Sequence, residues 1–79
     1  MSDLTLGQYI KSLRDKKGLT LDQASDLIGC SKSYLWEIEH DKSKPSLEIA
    51  AATAFCLKGD IESMALLALR GGVKEASHE

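Results

Sequence analysis

Residues 21–39 read LDQASDLIGCSKSYLWEIE, and this stretch decides the fold of the chain. A short helical pattern ends at Gly29, and glycine suits the left-handed position that follows a helix. Ser31, two residues later, is a preferred N-cap residue for a second short helix. Two short helices joined by a glycine-containing turn form a helix-turn-helix motif. The other segments are therefore expected to be helices that hold this pair at a fixed angle.

Start and stop signals outside that stretch predict three more helices. Thr5 with Gln8, and Thr20 with Gln23, have the spacing of capping boxes, in which each side chain bonds the other residue's backbone amide. Apolar residues at helical spacing follow each box. The predicted helices are helix 1 over about residues 6–17, helix 2 over 21–28, helix 3 over 32–40, helix 4 between Ser46 and Lys58, and helix 5 over 61–70.

Helices 4 and 5 carry more apolar side chains than one buried stripe requires. Helix 4 is apolar on most sides, a pattern typical of a buried helix. The leucines of helix 5 cannot all face one small core, so they either form a two-fold dimer surface or lie exposed over the fold. The predicted dimer residues are Ile61, Met64, Leu66, Leu67 and Leu69. Gly71-Gly72 is expected to end helix 5, leaving residues 71–79 as a disordered tail.

Length and composition exclude several classes of protein. A chain of 79 residues makes one domain, and no stretch approaches the ~20 apolar residues of a membrane span. The N-terminus has no pattern of an export signal. Neither a catalytic triad nor a phosphate-binding loop is present, so an enzyme is not expected. We predict a cytoplasmic protein without membrane contact.

Two cysteines and two histidines are the candidate metal ligands. Cys30 and Cys56 lack CxxC spacing, and His40 and His78 have no evident third ligand beside them. Two buried thiols in a reducing cytoplasm are the favoured interpretation, with a structural disulfide or a metal site as alternatives. No metal ion or other cofactor is therefore expected.

Residues 5–57 resemble the phage repressor and Cro type of helix-turn-helix domain, a large group of bacterial and phage regulators. The matching features are Leu19-Thr20 at the entry, Gly29 in the turn, Ser31, Leu35, Ile38 and Glu39 in the second helix, and Pro45-Ser46 before the next helix. The resemblance implies an all-α fold, the five-helix lambda-repressor-like DNA-binding domain, over residues 1–70. It also implies an ion pair between Arg14 and Glu39.

Two positions depart from the family pattern. Leu21 stands at the start of helix 2, where the family commonly has a glutamine that contacts DNA. Ser25 replaces the small alanine expected four residues before the turn glycine, and serine is still small enough for a close approach of the two helices. Thr20 and Gln23 are then the substitutes for the missing glutamine in contacts with phosphates.

The outward side of helix 3 carries the candidates for base recognition, because side chains near the N-terminus of such a helix reach base edges in the major groove. Lys32 can donate to guanine O6 and N7. Glu37 can accept from cytosine N4, or it repels phosphate and excludes wrong registers. Trp36 either packs on a thymine methyl or a sugar, or lies along the domain surface. The predicted base contacts are Lys32, Ser33, Trp36 and Glu37.

Phosphate contacts fix the register on DNA. The candidates are Thr20, Gln23, Ser31, Tyr34, Lys42, Ser43 and Lys44, and Tyr34 has packing as its alternative role. Residues 1–46 hold seven basic and seven acidic side chains, and Asp22, Asp26 and Asp41 could lie near the DNA. Moderate affinity per monomer and dependence on dimerisation are therefore expected.

The leading hypothesis is a transcriptional regulator, a repressor of phage or mobile-element type that binds a pseudo-palindromic operator in double-stranded DNA as a homodimer. The alternative is an antitoxin or another protein-binding module that uses the same fold while its C-terminal helix holds a protein partner.

Overall fold

The computed structural model describes residues 4–76, with side chains for residues 4–69, and this part of the chain is all-α. The helices are α1 (Leu6–Lys16), α2 (Leu21–Ile28), α3 (Lys32–Glu39), α4 (Leu47–Leu57) and α5 (Ile61–Ala76). The predicted all-α class is confirmed. The bounds of α2 agree with the prediction, and α1 and α3 each end one residue earlier than expected.

Local capping explains where these helices begin. The Thr20 hydroxyl oxygen accepts from the Gln23 amide at 3.1 Å, and the Gln23 side-chain oxygen accepts from the Thr20 amide at 2.9 Å. Thr5 and Gln8 form the same reciprocal pair ahead of α1. Both predicted capping boxes are therefore confirmed, and they satisfy amides that a helix N-terminus leaves without partners.

The core lies where α3 packs against both α1 and α2. Leu35 and Ile38 point inward, as their spacing predicts, and are almost fully buried together with Ile10 and Leu57. Gly29 ends α2 with a φ of 96°, a left-handed conformation that glycine adopts without steric cost. Buried Ser25 satisfies its hydroxyl by donating to the Asp22 carbonyl oxygen, so the serine is accommodated at the close approach.

Arg14 connects the first helix to the helix-turn-helix. Its guanidinium donates to both carboxylate oxygens of buried Glu39 and to the carbonyl oxygen of Leu19, at the entry to α2. The ion pair implied by the family resemblance is therefore present. Because one side chain holds α1, the α1–α2 loop and α3, it fixes the position of α3 relative to α1.

Asp41 makes a second connection between α1 and α3. It follows α3 with a φ of 59°. Its carboxylate accepts from the Thr5 hydroxyl at 2.7 Å and from the Gly7 amide at 3.1 Å, so it caps α1 from 34 residues away. Gly7 permits this approach, because a Cβ there would stand 2.7 Å from Asp41 Oδ1 and 2.7 Å from the Glu39 carbonyl oxygen.

The exposed face of α4 differs from the sequence-based expectation. The helix was expected to be buried on most sides, yet Leu47 is 87% exposed and Phe55 is 85% exposed. The reason is geometric: Thr53, Ala54 and Leu57 face the core, and no other described helix covers the opposite side of α4. An apolar composition thus did not predict burial here.

Met64 also differs from its predicted place. It is only 2% exposed and belongs to the core, so it is removed from the set of predicted dimer residues. Ile61, Leu66 and Leu69 are exposed, and Leu67 is partly buried. The N-terminus of α5 is fixed by Asp60, whose carboxylate accepts from Ser63, and by the Tyr9 hydroxyl, which accepts from the Asp60 amide.

Helix α5 continues to Ala76 instead of ending at Gly71-Gly72. Glycine in a helix interior costs only about 1 kcal/mol relative to alanine and still donates its backbone hydrogen bond, so an established helix can run through it. The predicted end of helix 5 therefore lies earlier than the observed end at Ala76, and residues 77–79 lie outside the described part.

The cysteines occur as free, half-buried thiols. The Cys56 thiol donates to the Leu27 carbonyl oxygen at 3.4 Å, and burial raises the pKa of the Cys30 thiol. Within the described residues, no group of three or more histidine, cysteine, aspartate or glutamate side chains could hold a metal ion. No helix among residues 4–76 is long and apolar enough to cross a membrane.

Candidate nucleic-acid interface

The outward arc of α3 is open to solvent. Lys32, Ser33, Trp36 and Glu37 are all exposed, while Leu35 and Ile38 on the opposite side are buried. The four predicted base contacts therefore share one face of the helix, and no other described segment covers it. Ser31 caps the helix by accepting from the Tyr34 amide, which leaves the Ser31 hydroxyl proton available to an acceptor outside the protein.

Two lysines have uncommitted ammonium groups at this face. Among the side chains of residues 4–69, Lys32 at the start of α3 and Lys42 in the following loop make no ion pair or hydrogen bond. Both are exposed. They can therefore approach phosphate or base acceptors without first breaking an internal contact.

Trp36 stacks on His40, one helical turn further along α3. The ring centroids lie 3.9 Å apart with an angle of 21° between the planes. His40 Nδ1 is also 2.9 Å from the Trp36 carbonyl oxygen, which holds the imidazole over the end of the helix. Trp36 thus has one covered face, and 40% of the side chain remains exposed beside the other candidates.

Three residues of the loop after α3 form hydrogen bonds to this helix, namely Lys42, Ser43 and Lys44. Glu37 accepts from the Ser43 hydroxyl at 2.9 Å, and its carbonyl oxygen accepts from the amides of Lys42 and Ser43. The Tyr34 hydroxyl donates to the Lys44 carbonyl oxygen at 3.0 Å. These bonds hold the loop in one position relative to α3.

The same bonds change what two predicted phosphate contacts can do. The Tyr34 and Ser43 hydroxyls each donate their proton within the protein, so neither can donate it to a phosphate without giving up that bond. The geometry therefore favours the packing role for Tyr34. It also makes Glu37 a partner of the loop as well as a candidate for base contact.

The N-terminus of α2 presents the remaining candidates for phosphate contact. Thr20 and Gln23 are exposed, and each uses its side-chain oxygen as an acceptor in the capping box. The bond to the Thr20 amide orients the Gln23 side chain so that its NH₂ group remains a donor. Leu21, in the position where a glutamine was expected, is half-buried and packs against the core.

Acidic groups near this face are fewer than the sequence suggested. Asp41 bonds to the N-terminus of α1 and is committed there, whereas Asp22 and Asp26 are exposed on α2. Exposed Asp15 pairs with Lys11 on α1, and the hydrogen bond from Lys11 lowers the pKa of Asp15. The exposed arc of α3 itself carries one lysine and one glutamate.

Two residues of the site were not identified from the sequence. His40 stacks on Trp36, and their separation of four positions on a helix was the signal that could have revealed the contact. Asp41 had no local signal, because its partners are Thr5 and Gly7, at the other end of the motif.

Comparison with protein families matches residues 5–65 to the helix-turn-helix domain. The chain belongs to this family. A curated relative of this helix-turn-helix chain is the immunity repressor protein of Bacillus phage phi105, 41% identical over 54 residues that make up 68% of this chain and 38% of the relative. The chain thus spans about two fifths of that relative's length.

Solved structures have the same arrangement of helices. SinR, the master regulator for biofilm formation, in complex with DNA, matches with a TM-score of 0.71 and 29% identity, covering 77% of this chain and 98% of that chain. The restriction-modification controller protein C.AhdI from Aeromonas hydrophila matches with a TM-score of 0.71 and 26% identity, covering 78% and 94%.

Proposed function

We propose that this helix-turn-helix chain is a sequence-specific DNA-binding transcriptional regulator, a repressor of phage or mobile-element type that acts in the cytoplasm. One observation carries the proposal: the exposed arc of α3 presents Lys32, Ser33, Trp36 and Glu37 together, and none of the other residues that the structure describes covers it. Similarity to a phage immunity repressor and to SinR in complex with DNA supports it. The function is one of binding, without catalysis.

Base recognition is assigned to the first turn and a half of α3. Lys32 donates to guanine O6 and N7, and the Ser33 hydroxyl donates or accepts beside it. Trp36 offers the free side of its indole to a thymine methyl or a sugar, while His40 supports the other side. Glu37 accepts from cytosine N4 or keeps phosphate at a distance, which restricts the register.

Phosphate contacts are assigned to the two ends of the motif. On the α2 side, Thr20, Gln23 and Ser31 retain donor groups, and on the loop side Lys42 and Lys44 supply positive charge. Since the motif is neutral overall, attraction to DNA depends on these few groups. A single copy is therefore expected to bind weakly and to lose affinity steeply as salt increases.

Two copies bound to one operator would compensate for this weakness. We place the dimer contact at the exposed residues Ile61, Leu66 and Leu69 of α5, with partly buried Leu67 beside them. The operator is then pseudo-palindromic, with half-sites whose centres lie about 34 Å apart, or one helical turn of DNA.

Selection of binding sites from random DNA duplexes tests the proposal. Wild-type protein should enrich a pseudo-palindromic sequence, and the double variant Lys32→Ala with Ser33→Ala should lose specific binding to it. Both residues are exposed, so the variant should keep its melting temperature. Enrichment of no sequence by the wild-type protein would overturn the proposal.

A matched control is the double variant Lys16→Ala with Lys17→Ala, at the end of α1. It removes two exposed charges that the proposed contacts do not include. Specific binding should survive in this control. An equal loss in both double variants would mean that the binding is general electrostatic attraction without base recognition.

A second candidate function is a protein-binding module, such as an antitoxin. The observation that favours it is the exposed apolar surface of α5 on a motif without net positive charge. Co-purification of a small basic protein at equal stoichiometry, together with failure of the selection experiment, would support this alternative.

A further inference from the structure

The outward side of α4 carries a continuous row of apolar side chains that the proposed function does not use. Leu47, Ala51 and Phe55 are all exposed, at 87% for Leu47 and 85% for Phe55. Residues four apart form one ridge on a helix, so these three make a single ridge about 12 Å long, named here the α4 ridge. Two large apolar side chains this exposed on one ridge indicate an interaction surface.

The order of residues along the α4 ridge is symmetric. Ala51 has one large side chain four positions before it and another four positions after it. A two-fold axis beside Ala51 would place Leu47 of one copy against Phe55 of the other. The two alanine methyl groups would then meet at the axis, where their small size allows the helices to approach to about 8 Å.

The charges beside the ridge select one orientation. Glu48 lies in the first turn of α4 and Lys58 follows its last turn, and both are exposed without an ion pair among residues 4–69. In an antiparallel pair, each Glu48 lies within about 6 Å along the axis of Lys58 in the second copy, a distance a lysine side chain spans. A parallel pair would place like charges together, which is unfavourable.

We propose that the α4 ridge is a self-association surface, on which a second copy of this chain docks with its α4 antiparallel. The ridge lies on α4 and the predicted dimer residues lie on α5. A chain that uses them as two separate contacts forms a tetramer from two dimers. This inference depends on the proposed α5 dimer only for the tetramer, and the ridge contact itself is independent of DNA.

Sedimentation velocity of the full chain tests the surface. The matched variants are Phe55→Glu on α4 and Leu66→Glu on α5, both at exposed positions, so that circular dichroism should show an unchanged fold. We expect a tetramer for the wild type and a dimer for either variant. Loss of the Phe55 contact should weaken association by roughly 30-fold or more, as for other aromatic anchors in interfaces.

The outcomes separate the two contacts. A wild-type dimer that Phe55→Glu converts to monomer, while Leu66→Glu does not, would support the α4 ridge and refute the α5 dimer. An identical association state in wild type and Phe55→Glu would overturn the ridge proposal. A wild-type monomer at all concentrations would also overturn it.

Charge reversal tests the antiparallel orientation. Glu48→Lys and Lys58→Glu should each weaken association, and the double variant should restore it, because the opposite charges then face each other again. As a test of the register, Ala51→Cys should form an intermolecular disulfide on oxidation, whereas Ser12→Cys on α1 should not. Absence of the restoration and of the disulfide would contradict this geometry.

Discussion

Arg14 and Glu39 are joined by two parallel hydrogen bonds, from Nε to Oε2 at 2.7 Å and from Nη2 to Oε1 at 3.0 Å. The Glu39 side chain is 1% exposed and that of Arg14 is 12% exposed. Bidentate pairs of this kind are geometrically specific and strong. The hydrogen bond to Glu39 raises the pKa of Arg14, so the guanidinium stays charged throughout the pH range in which the chain would be studied.

Replacing Arg14 with alanine should destabilise the fold by about 3 kcal/mol, because the buried Glu39 carboxylate loses the guanidinium that pairs with it. Urea denaturation followed by circular dichroism measures the free energy of unfolding. The control is Lys11→Ala, which breaks the exposed pair with Asp15 and should leave the free energy nearly unchanged. A near-zero effect of Arg14→Ala would mean that water replaces the guanidinium.

The Arg14 effect should vary little with pH over the neutral and mildly alkaline range. A pKa that is raised in the folded state adds stability below the unfolded value, and that stability is lost only as pH rises through the folded value. For an arginine, both values lie above this range. The difference in the free energy of unfolding between wild type and Arg14→Ala should therefore be the same at pH 7 and at pH 9.

Replacing Gly7 with alanine should destabilise the fold by about 1–3 kcal/mol, because the added methyl overlaps the C-terminal end of α3. The matched control is Ser12→Ala on the exposed side of the same helix, where alanine favours the helical conformation. Thermal denaturation of both variants measures the difference. A melting temperature equal to that of the control would show that α1 can shift outward at little cost.

Replacing Glu37 with glutamine should strengthen binding to non-specific DNA, because one negative charge leaves the face that we propose meets DNA, while the acceptor for Ser43 is kept. Glu37→Ala removes the charge and also the bond from the Ser43 hydroxyl, one of the bonds that hold the loop. We therefore expect weaker specific binding for Glu37→Ala than for Glu37→Gln, measured by fluorescence anisotropy at several salt concentrations. Equal affinities would mean that the bond to Ser43 has no part in recognition.

Replacing His40 with alanine should shift the emission of Trp36 to longer wavelength, because the indole loses the ring that covers one of its faces. Trp36 is the single tryptophan of the sequence, so all of the tryptophan fluorescence comes from this residue. Specific DNA binding should also weaken if the stack orients the indole. His40→Phe, which restores a stacking ring, is the control, and no difference between the two variants would argue against the stack.

The Cys30 thiol should react slowly with iodoacetamide at pH 8, because burial raises its pKa and reduces the fraction of thiolate. Mass spectrometry of native and urea-unfolded chain compares the rates at this one residue, and unfolding should accelerate the reaction. Because the folded state holds the Cys30 proton more tightly than the unfolded state does, the free energy of unfolding should fall as pH rises through the raised pKa. Equal rates in the two states would contradict the burial effect.

The starts of α1, α2 and α3 could be predicted because their signals are local. A threonine and a glutamine three residues apart are sufficient to predict a capping box. Ser31 is a local signal too, since its hydroxyl caps α3 by accepting from the Tyr34 amide. The contacts of Tyr34 and Asp41 could not be predicted, since their partners lie 10 and 34 or more residues away. Such contacts depend on how the helices pack, which a single sequence specifies only indirectly.

The exposed apolar side chains illustrate the same limit. Leu47 and Phe55 belong to a helix whose composition gives no preference for one face, so the sequence could not indicate which side the neighbouring helices would cover. Met64 and Leu66 lie two positions apart on α5, and only the packing against α1 and α4 distinguishes buried Met64 from its exposed neighbour.

The carboxylate of Asp41 connects the segment after α3 to the start of α1. Asp41, two residues after α3, accepts from the Gly7 amide in the first turn of α1, so this amide gains its partner only after the chain has folded through α3. Fraying at the start of α1 and detachment of the segment after α3 are thereby coupled into one event. The amide proton of Gly7 should exchange with solvent only when the end of α3 detaches from α1, which makes this proton a reporter of the integrity of the surface proposed to bind DNA.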